Sequence, residues 1–488
     1  MNASLVTGQA RLSPRAMARR GGFHGFGAFV LLLGAFLPIA DFFIVNVALP
    51  TINTSLNATP ASLELIVAIY GVAYAAILVL GGRLGDRFGR ERLFSIGAAG
   101  FVVTSLACGL APTIDVLIAA RLLQGVTAAL LVPQVLATAH ATLEGERKAR
   151  VLSLYGATAG IAAVVGQLAG GLLVSLDIAG LSWRPIFLIN VPLGLAVLVL
   201  SRLVIPATRS PHPIGMDVTG TLLFAGTLVA LLVPLSEGHS LGWPAWTLVL
   251  LGAAVVLGAT TVIYERRLEA NGEVPLLPPS LLKLPSMSRG LAMVSAFSMG
   301  FGAFMFVFAL MVQNGLHADA LTSGLAVLPM AVMFFLGSIL SHRVINRFGR
   351  GALAVGGTVQ ALGLAGVIGT VVLSWPNVNL ILLGIPLLFA GAGQSILFAG
   401  LFRVVLTDVP VHLGGVGSGV LITLQQAGLA LGVATLGTFY LSLEPFSVPL
   451  GFAAAVGIQL GIILLVVAGT KFLPRFTHLP EKAQPVEV

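Results

Sequence analysis

The chain has 488 residues, of which 57% are hydrophobic and only 9% are charged. Soluble domains carry about 25% charged residues, so this composition excludes an ordinary soluble protein and indicates a membrane protein. The net charge of +8 could suggest nucleic acid binding, but basic residues in a protein with many spans more often record its topology.

Apolar segments of about 20 residues recur along the whole chain, and each can cross a hydrocarbon core of about 30 Å as a helix. We predict an all-α membrane protein in which no segment remains for a large soluble domain. The fourteen predicted spans run over residues 26–49, 62–82, 93–111, 115–141, 151–176, 185–205, 216–236, 245–264, 290–312, 322–341, 351–374, 379–401, 415–442 and 449–470.

The basic residues give the predicted orientation. An even number of spans puts both termini on one side, and Lys and Arg concentrate on the cytoplasmic side of a membrane. All of them except Arg121 and Arg184 fall in the tails, in the connections after even-numbered spans, or at the ends of those spans. We therefore expect both termini in the cytoplasm.

Span 1 contains Asp41, and a carboxylate inside a span is costly enough to be a functional candidate. It lies about eight residues, or roughly 12 Å, from the outer end of the span. Arg121 in span 4 reaches a similar depth and needs a carboxylate or carbonyl partner. Asp41, Glu64 and Asp115 are the candidates, and the sequence does not choose among them. These four residues form the predicted proton-coupling site, and a purely structural pairing remains the alternative.

The connection after span 2 reads RLGDRFGRER from Arg83 to Arg92, and RVINRFGR recurs after span 10, from Arg343 to Arg350. Rocking transporters consist of two six-helix halves related by a parallel repeat. Two extra spans between the halves explain why the copies lie eight spans apart. The predicted domains are an N-terminal tail (1–25), a first six-helix bundle (26–205), an inserted helix pair (206–264), a cytoplasmic linker (265–289), a second six-helix bundle (290–470) and a C-terminal tail (471–488).

The first copy is predicted to form a conformational latch, in which two glycines permit a tight turn and Asp86 pairs with an Arg or caps a helix. The predicted latch residues are Gly85, Asp86, Arg87, Gly89 and Arg90. Asn346 replaces the acid in the second copy, so we expect the latch to work mainly in the first half. A solvated loop without a gating role is the alternative.

Four motifs occur together in this chain. They are DFFIVNVALP (41–50), GGRLGDRFGRERLF (81–94), RLLQGVTAALLVP (121–133) and WRPIFLINVPLG (183–194). Together they resemble motifs of the major facilitator superfamily, and within it of the fourteen-spanner drug:proton antiporters (family 2). The resemblance implies the major facilitator fold and a multidrug efflux antiporter of the inner membrane. It also implies export of lipophilic or cationic compounds against protons by alternating access, with Asp41 as the proton site and Arg121 as its modulator.

One position departs from the family. Gly166-Gln167 replaces a Gly-Pro step, and glutamine adds a polar group where proline would bend the helix. This departure keeps open a dedicated exporter or a symporter of a single metabolite. A transporter-like sensor that moves nothing is the alternative from another class. The predicted substrate path contains Asn46, Gln124, Gln167, Phe304, Met305, Gln313 and Gln425, and ordinary packing is the other interpretation for them.

Enzyme motifs are missing from the sequence. No lysine follows a glycine, which excludes a P-loop, and neither HExxH nor G-x-S-x-G occurs. We therefore expect no enzyme activity, no cofactor and no nucleic acid partner. The expected partners are a small molecule, protons taken from a proton gradient and the lipid bilayer, and the expected functional unit is a monomer.

Overall fold

The computed structural model describes residues 25–143, 145–210, 215–238, 241–410 and 414–473. Fourteen long helices cover most of this part of the chain. They are α1 Gly25–Leu56, α2 Pro60–Phe88, α3 Arg90–Gly109, α4 Ile114–Thr142, α5 Gly145–Leu176, α6 Pro185–Val204, α7 Val218–Glu237, α8 Ala245–Ala270, α9 Pro285–Gly315, α10 Ala320–Phe348, α11 Gly351–Ser374, α12 Leu380–Leu406, α13 Val416–Leu443 and α14 Val448–Gly469. Each predicted span corresponds to one helix, which confirms the all-α membrane fold.

Thirteen of these helices are long and apolar enough to cross a membrane, and α5 contributes a shorter apolar stretch, Gly160–Leu176, among the described residues. The connections after even-numbered helices lie at one end of the bundle, which we call the basic end. The other connections lie at the opposite end. The predicted tails lie outside the described residues, except for residue 25 and residues 471–473.

Helix ends at the opposite end are set by short polar side chains. Thr59 accepts a hydrogen bond from the Ser62 amide at 3.1 Å and caps α2. Asp319 accepts one from the Thr322 amide at 2.8 Å and caps α10. Hydrogen bonds from the Thr322 side chain and amide lower the pKa of the Asp319 carboxyl. These caps satisfy amides that have no partner within the helix.

The same helix pairs pack in the two halves of the chain. In the first half α1 packs against α5, α2 against α4, and α3 against α4 and α6. In the second half α9 packs against α13, α10 against α12, and α11 against α12 and α14. Helices α7 and α8 pack against each other, and α7 also packs against α2. This arrangement is the parallel repeat of six helices with one inserted pair. The residue boundaries of the domains stay predictions.

The two halves meet where α5 packs against α10 and where α2 packs against α13. The first contact depends on glycines. A Cβ at Gly171 would lie 2.6 Å from the Ala320 carbonyl oxygen, and a Cβ at Gly324 would lie 2.7 Å from that of Gln167. Glycine therefore lets the two backbones approach more closely than any other residue would allow.

Candidate functional site

Asp41 lies in the middle of α1 and is 1% exposed. The helix continues past the predicted end at residue 49 and ends at Leu56. At 1.5 Å per residue, Asp41 is therefore about 22 Å from the end of the helix. The polar last turns of α1 extend the helix beyond its apolar segment, and the depth of Asp41 in the membrane stays a prediction.

Three side chains donate hydrogen bonds to the Asp41 carboxylate. Arg121 Nη1 of α4 donates to Oδ2 in a buried ion pair. Gln124 Nε2 donates to Oδ1 at 3.1 Å, and Asn190 Nδ2 of α6 donates to the same oxygen at 2.6 Å. We call these four residues the Asp41 cluster. A buried charge is tolerated where it is both paired and hydrogen-bonded, as it is here.

Arg121 joins α4 to α2 as well as to α1. Its Nε donates to the Ile66 carbonyl at 3.2 Å, and its Nη1 also donates to Gln124 Oε1 at 2.7 Å. The guanidinium lies over the Tyr70 ring, 4.2 Å from the ring centroid, which is a cation–π contact. Its Nη2 has no hydrogen-bond acceptor among the described residues.

A second layer of contacts orients the cluster. Gln124 Nε2 also donates to Ser105 Oγ at 2.8 Å, and Cys108 Sγ donates to Gln124 Oε1 at 3.5 Å. The Tyr70 hydroxyl donates to the Pro38 carbonyl at 2.8 Å, one turn before Asp41. Cys108 is a buried free thiol. These contacts fix the rotamers of the groups that touch the carboxylate.

The geometry selects Asp41 among the three candidate partners of Arg121. Asp115 is exposed in the first turn of α4. Glu64 is buried in α2, but it accepts a hydrogen bond from Thr438 of α13, at 2.5 Å. Glu64 therefore binds the other half of the molecule. The proton-coupling roles of all four residues stay predictions.

Sequence reasoning missed Asn190 as a member of the site. The residue lies in the motif WRPIFLINVPLG and begins the longer segment of α6, Asn190–Val204. An isolated amide near the start of an apolar span was the available signal. Its orientation toward Asp41 depends on how α6 packs against α1, which the sequence pattern does not give.

Three of the predicted substrate-path residues join the halves of the molecule. Gln167 of α5 contacts Met305 Sδ of α9 through Nε2 at 3.6 Å. Gln313 of α9 donates to the Val47 carbonyl of α1 at 3.0 Å. A third contact lies nearby, where the Leu321 amide donates to Ser175 Oγ at 3.2 Å. Together with Thr438 and Glu64, these contacts tie the halves toward the opposite end.

The remaining substrate-path residues have separate surroundings. Asn46 is buried in α1, and its Oδ1 has no donor among the described residues. Phe304 is buried and stacks on Phe308 with ring centroids 5.4 Å apart. Gln425 is half-buried in α13, and Gln124 belongs to the Asp41 cluster. The structure does not gather these residues at one point, and their contact with substrate stays a prediction.

The latch residues form a compact group at the basic end. Asp86 Oδ1 accepts hydrogen bonds from Arg90 Nε at 3.0 Å and Nη2 at 2.7 Å, across the junction of α2 and α3. Gly89 has φ +108° and forms the turn. Gly85 lies inside α2, so the predicted turn at this residue was wrong. Its small size instead admits Gln134, whose Oε1 would clash with a Cβ there.

The backbone beside the latch contacts the connection between α6 and α7. The Arg90 amide donates to the Thr208 carbonyl at 3.0 Å, and the Ser210 amide donates to the Asp86 carbonyl at 3.1 Å. Arg87 lies over the neighbouring Phe88 ring at 5.7 Å. These contacts stay on the side of the first half, and gating by the latch stays a prediction.

The second copy pairs differently. Asn346 Oδ1 accepts a hydrogen bond from Arg403 Nη1 of α12 at 2.6 Å. The second copy therefore joins α10 to α12, whereas Asp86 binds an Arg one turn later in the chain.

The sequence and fold were compared with known proteins. A sequence profile of the Major Facilitator Superfamily matches residues 31–433. A probable actinorhodin transporter of Streptomyces coelicolor is 37% identical over 440 residues, which are 88% of this chain and 74% of the relative. A tetracenomycin C resistance and export protein of Streptomyces glaucescens is 32% identical, and the match covers 84% of this chain and 74% of the relative.

Among solved structures, the crystal structure of the peptide transporter POT in complex with sulfate has a TM-score of 0.68 and 17% sequence identity to this chain. The match covers 94% of this chain and 99% of the other. At this identity the similarity concerns the fold alone.

Proposed function

Because this chain belongs to the Major Facilitator Superfamily of membrane transporters, we propose that it exports a small molecule in exchange for protons. Membership confirms the predicted family and a transporter rather than an enzyme. Transporters of this family carry a small molecule through a multi-pass membrane protein and generally need no cofactor. The coupling ion, the substrate class and the orientation belong to the proposal.

The proposed substrates are lipophilic or cationic compounds of the antibiotic type. The names of the relatives support a substrate of the antibiotic type, since one is a probable actinorhodin transporter and another is a tetracenomycin C resistance and export protein. The apolar Met305 and Phe304 of α9 are compatible with such substrates, because methionine and phenylalanine adapt to irregular apolar surfaces.

The observation that carries the proposal is the buried Asp41 cluster. The ionised carboxylate is held by Arg121 and two amides. Protonation of Asp41 removes the charge that Arg121 pairs with, while the contacts of Arg121 with α2 remain. Because α2 packs against α13 of the other half, proton binding then favours one arrangement of the halves over the other.

We place the basic end in the cytoplasm, with both termini there and the protein in the inner membrane. The distribution of Lys and Arg supports this orientation. The hydrogen bonds of Gln313, Ser175 and Glu64 with the other half then close the outer side. A monomer is proposed as the functional unit, because both halves belong to one chain.

Proteoliposomes test the proposal. Addition of a transported compound is expected to release protons with wild type and with Asp319→Asn, since asparagine also caps a helix. Asp41→Asn is expected to abolish the signal. A signal that survives in Asp41→Asn overturns the role of Asp41. A proton flux of opposite sign indicates a symporter, and the absence of any flux with wild type across a compound panel indicates a sensor.

A further inference from the structure

The connection between α8 and α9 is fastened to the first half at the basic end. Arg83 of α2 is 5% exposed and donates hydrogen bonds to the Val274 carbonyl at 2.9 Å and the Pro275 carbonyl at 2.6 Å. It also donates to the Gly215 carbonyl at 3.0 Å, in the connection between α6 and α7. One buried guanidinium therefore ties two connections to α2.

Two buried carboxyl groups hold the next residues of the same connection. Asp217 Oδ2 accepts a hydrogen bond from the Leu276 amide at 2.9 Å. Glu265 Oε2 accepts one from the Leu277 amide at 3.2 Å. We call Arg83, Asp217 and Glu265 the anchor triad, and residues 274–277 the anchored segment. The backbone of this segment forms hydrogen bonds with all three buried side chains: its carbonyls accept from Arg83, and its amides donate to Asp217 and Glu265.

The two carboxyl groups are not equally satisfied. Asp217 Oδ1 also accepts from the Gly220 amide at 2.7 Å, so both of its oxygens have a donor. Glu265 Oε1 is buried and has no donor among the described residues. The hydrogen bonds of Arg83 go to backbone carbonyls. Two ionised carboxylates would therefore leave a buried negative charge and an unsatisfied oxygen, and both are costly.

The two carboxyl groups contact each other, and the Tyr264 hydroxyl also contacts Asp217. A Cβ built on Gly220 would lie 2.2 Å from Asp217 Oδ2 and 2.7 Å from Glu265 Oε1. Ionised carboxylates in contact repel each other, whereas a protonated one can donate a hydrogen bond to its neighbour. A proton on Glu265 Oε1 satisfies that oxygen and balances the charge of the anchor triad.

We propose that Glu265 binds a proton and donates it in a hydrogen bond to Asp217, forming a second proton-binding site, separate from Asp41, which fastens the linker to α2 while it is occupied. When the proton leaves, the two carboxylates repel each other and the hydrogen bonds to the anchored segment weaken. Among the described residues, the charged or titratable groups that face the pair are Arg83 from α2 and Tyr264 from α8. The linker contributes backbone groups. The anchored segment is thus held at acidic pH and released as the pH rises.

Thiol labelling of the detergent-solubilised full chain tests this site without measuring transport. Both cysteine variants are made in a Cys108→Ser background. Val274 is half-buried, so the labelling rate of Val274→Cys reports how often the anchored segment is released. Glu273 is exposed, so the labelling rate of Glu273→Cys gives the reactivity of an accessible thiol at the same pH. Between about pH 6 and about pH 9, the ratio of the Val274→Cys rate to the Glu273→Cys rate is expected to rise about tenfold, the effect of losing a hydrogen bond to a charged group.

Glu265→Gln provides the matched variant, because its neutral amide can still donate to Asp217. In this variant the ratio of the Val274→Cys rate to the Glu273→Cys rate is expected to stay low at both pH values. A ratio independent of pH in the parent, or a pH response that persists in Glu265→Gln, overturns the proposal. Infrared difference spectra of the protein without added cysteines give a second measurement. A band of a protonated carboxyl group that is present in the parent protein is expected to vanish in Glu265→Gln. A band that is unchanged in Glu265→Gln overturns the proposal that Glu265 carries the proton.

Discussion

Asn190 of α6 donates a hydrogen bond to Asp41 of α1 at 2.6 Å, to the carboxylate oxygen opposite the one that binds Arg121. The carboxylate is therefore held between an amide and a guanidinium that come from different helices. An acid held in this way keeps one position, so we expect a change in its protonation to affect α4 and α6 together.

Asn190→Ala removes one charge-assisted hydrogen bond from the cluster. Such a bond contributes about 1.5–3 kcal/mol, so we expect the initial rate of proton-coupled export to fall about tenfold or more. The measurement is export into a proton gradient from proteoliposomes. Asn379→Ser retains the cap of α12 and serves as the control. Equal rates for wild type and Asn190→Ala would contradict the role given to Asn190.

Gly81→Ala is expected to destabilise the protein. A Cβ at this residue would lie 2.2 Å from the Ala129 carbonyl oxygen of α4, and overpacking of this kind costs about 1–3 kcal/mol. A lower midpoint of thermal unfolding in detergent is the expected result. Gly252 of α8 is exposed with nothing within 4 Å of its Cβ position, so Gly252→Ala should leave the midpoint unchanged or raise it slightly. Equal midpoints for the two variants would refute the close contact.

Thr438→Val is expected to weaken the contact between the two halves at the opposite end, where Thr438 donates a hydrogen bond to Glu64. The variant keeps the side-chain shape but loses the hydroxyl that joins α13 to α2. Loss of a hydrogen bond to a charged or strongly polar group shifts a two-state equilibrium by about tenfold. In a Cys108→Ser background, Thr51→Cys at the same end should be labelled faster by about this factor.

Glu64→Gln keeps an acceptor for Thr438 and should change the labelling of Thr51→Cys less than Thr438→Val does. If both variants label at the wild-type rate, the contact does not hold this end closed.

Asp86→Asn is expected to impair export more than Asn346→Asp. The Asp86–Arg90 ion pair is half-buried at the surface of the basic end, and surface ion pairs contribute about 0–1 kcal/mol to folding, so the unfolding midpoint of Asp86→Asn should hardly change. A loss of export at unchanged stability would then reflect the movement of the helices. Export rates and unfolding midpoints measured on the same preparations separate the two effects. If Asp86→Asn and Asn346→Asp leave export equally unimpaired, the predicted latch has no role in transport.

Helical regularity explains what the sequence could predict. The fourteen spans follow from apolar length, and Asp41 was a candidate partner of Arg121 because residue counts along two antiparallel helices give similar depths. The choice of Asp41 over Glu64 required the rotation of each helix about its axis. Periodicity gives this rotation only weakly in helices that are apolar on all sides.

Irregular backbone and close packing explain the other features that could not be predicted from the sequence. Gly85 appeared to be a turn residue because it lies in a polar segment, yet α2 continues to Phe88 and the glycine admits Gln134. The contact of Arg83 with the linker could not be anticipated, since the path of residues 271–284 follows no repeating pattern. The role of Asn190 depends on packing between α6 and α1.

The fastening of the linker also makes the two moving bodies unequal. Arg83 ties residues 215 and 274–275, the connections that flank α7 and α8, to α2. We therefore expect the inserted pair to travel with the first half, so that eight helices move against six. The Ser280 amide also donates to Glu269 of α8 at 3.1 Å, so the short stretch from Leu281 to Leu284 is left as the covalent tether between them. We expect its length to set how far the two bodies can separate at the basic end.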